Sequence, residues 1–317
     1  MHSNDATSRR SFLGATIAAG AVFAQGARCF ADEPQRIIGL GFSLYGMKSL
    51  SIADALKTCA EIGYDCVELP VMADWPADSA KLSAEGRREI RARIGDSNLR
   101  LTALMENLPC SDPKSQAANL ERLKRACDLA NDLVAETAAS KPLIETILGG
   151  KPGAFDALKG GFVERLSEWA AVLSDAKVTL AIKAHFSNDI QRPEQLITVL
   201  DAVASPWLKA AYDYSHFQLQ DLPLAETMTL LLPRSVFVHV KDTHQADGKW
   251  RFLLPGEGGI DYADYFRLLS KTDYRGDVMV EVSGQVFSQP GYDPEAAARK
   301  CYNHLAPAMK AAGITRD

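Results

Sequence analysis

The sequence predicts a single (β/α)₈ TIM barrel of the α/β class. Short apolar, β-branched runs alternate with helical patterns from Arg36 to the C-terminus, and this alternation is typical of βαβ units on a parallel sheet. Eight such units fit within 317 residues, because each parallel crossover needs about a dozen residues or more. An open doubly wound sheet is the alternative, but no glycine-spaced GxGxxG follows the first predicted strand.

The predicted elements follow one another without a linker or a repeat of fixed period. The strands are runs of apolar, largely β-branched residues, which favour extended backbone. They are Ile37–Ser43, Cys66–Leu69, Leu101–Met105, Leu143–Leu148, Val178–Ala184, Leu208–Tyr212, Val236–Val240 and Val278–Val282. The helical segments are Ser51–Ile62, Ser83–Asp96, Ser115–Glu136, Phe162–Asp175, Pro193–Val203, Leu222–Leu232, Tyr262–Ser270 and Asp293–Ala312.

The first 31 residues are predicted to be an export signal, and residues 32–317 the catalytic barrel domain. Arg9 and Arg10 form a basic pair ahead of a weakly apolar, Ala/Gly-rich run over residues 14–27, and Ala31 is a small residue suited to cleavage. The pair resembles a twin-arginine signal, which predicts export to the periplasm. The apolar run is too short and too rich in glycine for a membrane span.

Charge and cysteine content exclude some partners and roles. The net charge of −5 argues against nucleic acid as a partner, because phosphate binding favours a basic surface. The six cysteines form no CxxC pair, and five remain after the predicted signal, an odd number in a domain large enough to need no disulfides. Cys59, Cys66 and Cys127 lie in apolar segments and are predicted to be core thiols without a catalytic role.

Four apolar runs in the second half of the chain end in side chains that can bind a metal or transfer a proton. A parallel barrel gathers the carboxyl ends of its strands at one mouth, so residues far apart in sequence can converge there. Alternate residues of a strand point to the same side, which makes pairs such as Lys183 and His185 emerge together. The residues are Lys183 and His185, Asp213 and His216, His239 and Lys241, and Glu281.

Three of these strand ends together favour a metal site. A lone carboxylate at a strand end is more often a cap or a turn former than a ligand. Asp213, His239 and Glu281, however, end three successive strands and offer a mixed oxygen and nitrogen set suited to Mn²⁺, Zn²⁺, Co²⁺ or Mg²⁺. The sequence therefore predicts one divalent metal ion with positions left open for a substrate.

The order of these motifs resembles that of the sugar phosphate isomerase/epimerase family, the xylose isomerase-like TIM barrels, over nearly the whole mature chain. The Asp-x-x-His spacing at 213–216 and the His-Val-Lys-Asp stretch at 239–242 carry the resemblance. In that family a Glu on strand five, an Asp on six, a His on seven and a Glu on eight typically hold the metal. The resemblance implies that Asp213, His239 and Glu281 bind the ion and that His216 faces the substrate.

The chain departs from the family pattern on strand five, where Lys183 stands at the position of the usual Glu. An ammonium beside a divalent cation is unfavourable unless it is neutral or held off by carboxylates. Either His185 becomes the fourth ligand, or Lys183 leaves the ion and acts on the substrate. As a neutral base or as a charged partner of an enolate oxygen, Lys183 is predicted to be catalytic together with Glu281.

Three further side chains are predicted to contact the substrate, each with a structural alternative. Lys241 would bind an anionic group, unless it is a solvated charge at the rim. Glu68 would accept a sugar hydroxyl, unless it forms a salt bridge in the interior. Trp75 would stack on a sugar ring, unless it anchors its own loop.

The predicted function is a metal-dependent isomerase or epimerase that abstracts a proton next to a carbonyl of a carbohydrate. Export argues for a non-phosphorylated substrate. A lyase or hydratase acting on a keto-sugar or keto-glycoside would share the same enolate chemistry, and a carbohydrate-binding barrel without turnover is the alternative from another class. An abasic-site endonuclease with a zinc cluster is opposed by the net charge and by only six histidines. The sequence leaves the oligomeric state open, a homo-oligomer included.

Overall fold

The structure, a computed structural model, describes residues 37–134 and 140–316. Eight parallel strands close into a barrel, which confirms the predicted fold. The barrel strands are β1 (Leu40–Ser43), β2 (Cys66–Pro70), β3 (Arg100–Met105), β4 (Leu143–Ile147), β5 (Leu180–Lys183), β6 (Leu208–Asp213), β7 (Ser235–Val240) and β10 (Val278–Val280). Strands β8 (Asp242–Ala246) and β9 (Lys249–Leu253) form an antiparallel hairpin of their own.

Helices follow the barrel strands along the chain, and several begin at the polar cap expected of a helix N-terminus. Ser51 and Ser83 accept hydrogen bonds from the first turns of the helices that they precede. The helices are α1 (Ile52–Ile62), α2 (Ala84–Asp96), α3 (Gln116–Asp132), α4 (Phe155–Ala176), α5 (Pro193–Val203), α6 (Tyr214–Gln218), α7 (Leu224–Leu231), α8 (Tyr262–Leu269), α9 (Gly284–Phe287) and α10 (Pro294–Ala311).

The structure corrects several predicted boundaries. The first strand begins at Leu40 rather than at Ile37, which forms only an isolated bridge with Thr315. Helix α4 begins at Phe155, seven residues before the predicted start at Phe162, because neighbouring turns carry it through two glycines of low helix propensity at 160–161. The β8–β9 hairpin and the short helices α6 and α9 were not predicted.

The barrel interior is layered by the two-residue alternation of its strands. The lower layer is small or apolar and fully buried; it consists of Cys66, Ala103, Ala181, Ala211, Phe237 and Met279. Gly41 belongs at the same level, because a Cβ there would lie 2.6 Å from Met279 Sδ and 2.7 Å from Cys66 Sγ. Two residues further along their strands, the next side chains also point inward. This second layer contains the polar residues of the mouth.

The remaining predictions about the fold concern thiols, membrane and export signal. All five cysteines of the described residues are buried free thiols, which confirms the core assignment of Cys59, Cys66 and Cys127. Within residues 37–134 and 140–316, no helix combines the length and the hydropathy needed to cross a bilayer. The predicted export signal lies outside the described residues.

Candidate active site

Three of the predicted metal ligands converge at the mouth of the barrel. The ligand atoms of Asp213, His239 and Glu281 all lie within 4.8 Å of one another. Asp213 and His239 are fully buried, and the Glu281 side chain is 13% exposed. We call these three residues the triad. Their strands, β6, β7 and β10, are adjacent in the barrel, so the alternation that buries the layer below also brings the triad together.

Glu68 holds the imidazole of the triad in place. His239 Nε2 lies 3.1 Å from Glu68 Oε2, and His239 Nδ1 lies 3.2 Å from Glu281 Oε2. Glu68 is fully buried on β2 and lies behind His239, so the structure does not bring it to the cavity as a sugar contact. A carboxylate behind a histidine fixes the ring orientation and directs the other ring nitrogen toward a ligand.

Lys183 reaches into the triad. Its Nζ donates to Glu281 Oε2 at 2.9 Å, lies 2.9 Å from His239 Nδ1 and is 3.9 Å from Asp213 Oδ2. Glu145 Oε1 is 3.2 Å away on the opposite side. Burial alone would lower the pKa of Lys183, but the surrounding carboxylates outweigh burial and raise it. In this arrangement Lys183 is a charged ammonium rather than a neutral base.

Lys241 is the second ammonium of the site. Its Nζ donates to Asp213 Oδ2 and, at 2.7 Å, to Glu281 Oε2. It also lies 5.0 Å from the centroid of the Phe252 ring, within the range of a cation–π contact. The predicted anion-binding side chain therefore already contacts two carboxylates of the triad.

His185 and His216 lie side by side next to the triad, with ring centroids 4.0 Å apart. His216 Nε2 is 3.4 Å from Asp213 Oδ2, and its Nδ1 accepts the backbone N–H of Phe186 at 3.3 Å. His185 Nδ1 lies 2.6 Å from the carbonyl oxygen of Phe186. His185 is not part of the group of three ligand atoms, and its role as a fourth ligand stays a prediction.

Trp75 forms part of an aromatic cluster beside the mouth. Its ring stacks on Tyr45 with centroids 4.8 Å apart, and the edge of Phe287 meets Tyr45 at 5.0 Å. Lys48 Nζ covers the Trp75 ring at 4.6 Å. Tyr45 lines the cavity above the triad, whereas Trp75 lines a separate small pocket behind it. Trp75 therefore supports an aromatic wall, and its stacking on a substrate stays a prediction.

A cavity of about 160 Å³ opens above the triad. Its wall includes Tyr45, Glu145 and Phe252, which were not among the predicted site residues. Alternation along β4 contains a signal for Glu145, since it points inward with Leu143 and Ile147. Phe252 lies on the β8–β9 hairpin, which was not predicted, and the sequence contains no comparable pattern that would place its side chain at the cavity.

Two carboxylates of the cavity have pKa values shifted in opposite directions. Burial raises the pKa of Glu281, but Lys183, Lys241 and His239 outweigh it and hold that pKa well below its usual range. Burial raises the pKa of Glu145, and Lys183 opposes this only in part. Glu145 on β4 and Glu281, the residue directly after β10, stand on opposite sides of the eight-stranded ring. Two carboxylates with pKa values pushed apart are a frequent arrangement of acid and base.

Comparison with known proteins agrees with this geometry. Residues 56–307 match the family model described as Xylose isomerase-like TIM barrel. The chain belongs to the xylose isomerase-like TIM barrel family.

Two curated relatives of this xylose isomerase-like chain are named as epimerases. The L-ribulose 3-epimerase of Methylomonas sp. (strain DH-1) is 25% identical over 276 residues, which cover 84% of this chain and 91% of the relative. The L-ribulose-5-phosphate 3-epimerase UlaE of Salmonella paratyphi C (strain RKS4594) is 23% identical over 272 residues, which cover 82% of this chain and 91% of the relative.

Solved structures share the xylose isomerase-like fold. The IolI protein, solved with a zinc atom, has a TM-score of 0.71 at 17% identity and covers 86% of this chain and 98% of its own. A xylose isomerase-like TIM barrel protein from Mycobacterium smegmatis, solved with magnesium, has a TM-score of 0.65 at 17% identity and covers 87% of this chain and 97% of its own.

The donor atoms of the triad support a divalent metal ion in this xylose isomerase-like barrel. Two carboxylates and one imidazole form a set that Mn²⁺, Zn²⁺, Co²⁺ and Mg²⁺ accept. The structure also gives a direct sign that these atoms can hold a cation, because the Lys183 ammonium contacts two of them at 2.9 Å.

Proposed function

We propose that this chain is an isomerase or epimerase that acts on a non-phosphorylated carbohydrate by abstracting a proton next to a carbonyl. The observation that carries the proposal is the convergence of Asp213, His239 and Glu281 on one cation position beneath a cavity. The names of its epimerase relatives support the same reaction type. The chain is thus an enzyme of the isomerase and epimerase type.

The cavity wall supports a substrate without phosphate. No arginine is among the described residues that line the cavity, and arginine is the side chain best suited to phosphate. The two lysines of the cavity, Lys183 and Lys241, already contact carboxylates. Tyr45 and Phe252 offer apolar ring surface instead, which suits the C–H face of a sugar.

Different residues of the site are placed for different steps of the proton transfer. A divalent ion held by the triad would polarise adjacent substrate oxygens and stabilise the charge that develops as the proton leaves. Glu281, ionised and facing the cavity, is placed to take the proton. Lys183 is placed to donate a hydrogen bond to the developing enolate oxygen, and Glu145, 3.2 Å from the Lys183 ammonium, lines the cavity beside it.

A lyase or hydratase is the second candidate, and Lys183 is the observation that favours it. Elimination from a keto-sugar begins with the same proton abstraction and then needs an acid to protonate the departing hydroxyl. A charged lysine at the position of the usual carboxylate can donate a hydrogen bond to that hydroxyl as it departs. Analysis of the products separates the candidates, because epimerisation conserves the mass of the sugar whereas elimination removes one water.

Exchange of solvent deuterium tests the proposal. The protein, loaded with Mn²⁺, is incubated with panels of aldoses, ketoses and 3-keto-glycosides in D₂O, and ¹H NMR follows exchange and products. We expect exchange in at least one class, lowered by about 10²-fold or more in Glu281→Gln and unchanged in Glu61→Gln, an exposed control on α1. A carbohydrate-binding barrel would bind sugar without exchange. Absence of exchange in every class with metal bound would contradict the catalytic proposal.

We also propose that residues 1–31 direct export by the twin-arginine pathway and that residues 32–317 form the mature catalytic domain. The basic pair and the short Ala/Gly-rich run support this proposal. Replacement of Arg9 and Arg10 by lysine should leave the protein in the cytoplasm, whereas the unchanged chain should reach the periplasm with its N-terminus near Asp32. N-terminal sequencing of the two cell fractions checks both statements.

A further inference from the structure

We propose that the Lys183 ammonium and the divalent ion are mutually exclusive occupants of the triad, so that Lys183 acts as a built-in competitor that sets the metal affinity. The inference rests on the proposed function only in taking the triad as the ion site. It assigns to the lysine at the position of the family's usual glutamate a role distinct from ligand or base.

The first argument for mutual exclusion is the position of Lys183 Nζ. The atom lies 2.9 Å from Glu281 Oε2, 2.9 Å from His239 Nδ1 and 3.9 Å from Asp213 Oδ2. These three residues are the ones whose ligand atoms could enclose an ion. An ion bonded to them at about 2.0–2.2 Å would lie in contact with the ammonium, with no anion between the two cations. Coulomb repulsion at that separation opposes joint occupancy.

The second argument for mutual exclusion concerns the lone pair on the His239 imidazole. An ammonium has three donors and no acceptor, so a hydrogen bond from Lys183 Nζ to His239 Nδ1, which lie 2.9 Å apart, would use the lone pair of Nδ1. The other ring nitrogen faces Glu68 Oε2 at 3.1 Å, an arrangement that suits a ring proton on Nε2. The lone pair on Nδ1 is therefore the one that an ion in the triad would use. The ion can bind His239 only after Lys183 releases it.

Glu145 provides a place for the displaced lysine. Its carboxylate is buried on β4, and Oε1 lies 3.2 Å from Lys183 Nζ without accepting a hydrogen bond within the described part of the chain. A small movement of Nζ toward Oε1 would satisfy this buried acceptor and vacate the triad. The displaced ammonium would then lie at the cavity wall, since Glu145 lines it.

Lys241 is the matched control. It carries the same charge and contacts the same two carboxylates, Asp213 and Glu281, but it has no contact with His239 among the hydrogen bonds of the described residues. Removal of Lys241 therefore removes a nearby positive charge without releasing the imidazole. A general charge effect would make the two lysines equivalent, whereas direct competition makes Lys183 the stronger determinant.

Calorimetric titration with MnCl₂ and ZnCl₂, without sugar, tests the inference on chelator-treated protein. We expect Lys183→Met to bind the ion more tightly than the unchanged chain by roughly tenfold or more. Lys183→Glu, which adds a fourth carboxylate ligand, should also bind more tightly, and Lys241→Met should gain less than Lys183→Met. Equal affinity in Lys183→Met and the unchanged chain, including no binding in either, would overturn the inference. So would an equal gain in Lys241→Met.

A second measurement locates the ion and the Lys183 side chain directly. Anomalous diffraction from crystals of the unchanged chain soaked in Mn²⁺ should place the ion in the triad and Lys183 Nζ beside Glu145. An ion bound to His239 with Lys183 Nζ still within hydrogen-bond distance of Nδ1 would contradict mutual exclusion, and so would a triad that stays free of Mn²⁺ in both the unchanged chain and Lys183→Glu. Both measurements omit sugar, so a lack of turnover would refute the proposed enzyme and leave this inference standing.

Discussion

Single charged residues at the barrel mouth tolerate burial because each contacts an opposite charge. Lys183 and Lys241 are at most 3% exposed, and together they contact Asp213, Glu145 and Glu281. Removal of one partner from such a set leaves an uncompensated buried charge, which costs more than an exposed ion pair contributes. The site is therefore sensitive to single substitutions in folding as well as in activity.

His216 gives this sensitivity a pH dependence. Burial and the Lys241 ammonium lower its pKa from 6.5 to about 4, although Asp213 opposes the shift. The unfolded chain therefore binds more protons than the folded chain between these two values. The contribution of neutral His216 to the free energy of unfolding is complete above about pH 6.5. It is lost as the pH falls toward 4, and the loss is at most about 3 kcal/mol. We expect the free energy of unfolding of the metal-free protein to fall over this window.

Urea denaturation at pH 7.5 and pH 4.5 measures this difference. His216→Gln, which cannot titrate, should show a smaller loss of stability between the two pH values than the unchanged chain. His244→Gln is the control, because His244 is exposed on the hairpin and should leave the pH dependence unaltered. Parallel pH profiles for His216→Gln and the unchanged chain would rule out His216 as the group responsible.

At the level of elements, the β8–β9 hairpin closes one side of the cavity. The backbone N–H of Phe252 donates to Gln285 Oε1 of α9 at 2.9 Å, and the ring meets His216 edge-on at 5.1 Å. Trp250, 37% exposed, contacts both Phe186 and Phe252. The aromatic side chains of β9 thus pack directly beside the polar residues of the barrel mouth.

The hairpin is expected to contribute to substrate binding rather than to the proton shift. Phe252→Ala removes ring surface that lines the cavity and should raise KM roughly five- to tenfold, with a smaller change in kcat. Steady-state kinetics on the sugar that shows exchange checks this split. Lys249→Ala, an exposed change on the same hairpin, should leave both constants unchanged. A fall in kcat with KM unaltered would assign Phe252 to the chemical step instead.

Local pattern predicted the barrel strands because alternation and apolar runs are properties of the strand itself. The convergence of Asp213, His239 and Glu281 followed from strand order, since parallel strands share one mouth. The contact between Lys183 and His239 could not be predicted, because it depends on the angle at which non-adjacent strands face each other across the closed barrel. The β8–β9 hairpin was not predicted, because residues 242–249 are largely polar and lack the alternation of a half-buried strand.

At the scale of the whole molecule, the barrel depends on joining its first and last parts. Strand β1 lies between β2 and β10 and closes the ring. Asp65 accepts the backbone N–H of Leu40 at the start of β1, and the same carboxylate receives two hydrogen bonds from Arg316 at 2.8 and 2.9 Å. Arg316 also donates to Tyr302 Oη at 2.9 Å. One carboxylate thus links the first strand of the barrel to the C-terminal segment.

This link predicts a global loss of stability from one terminal substitution. Arg316→Met removes both hydrogen bonds to Asp65, which is largely buried, and should lower the free energy of unfolding by about 1–3 kcal/mol. Arg267→Met is the matched control, because Arg267 and Asp264 form an exposed pair within α8, and pairs of that kind contribute about 0–1 kcal/mol. Urea denaturation followed by far-UV circular dichroism compares the two variants under one set of conditions.

Because β1 closes the ring, Arg316→Met should also increase amide hydrogen exchange in both β1 and β10. Equal stability of the two variants would show that the C-terminal segment does not hold the barrel closed.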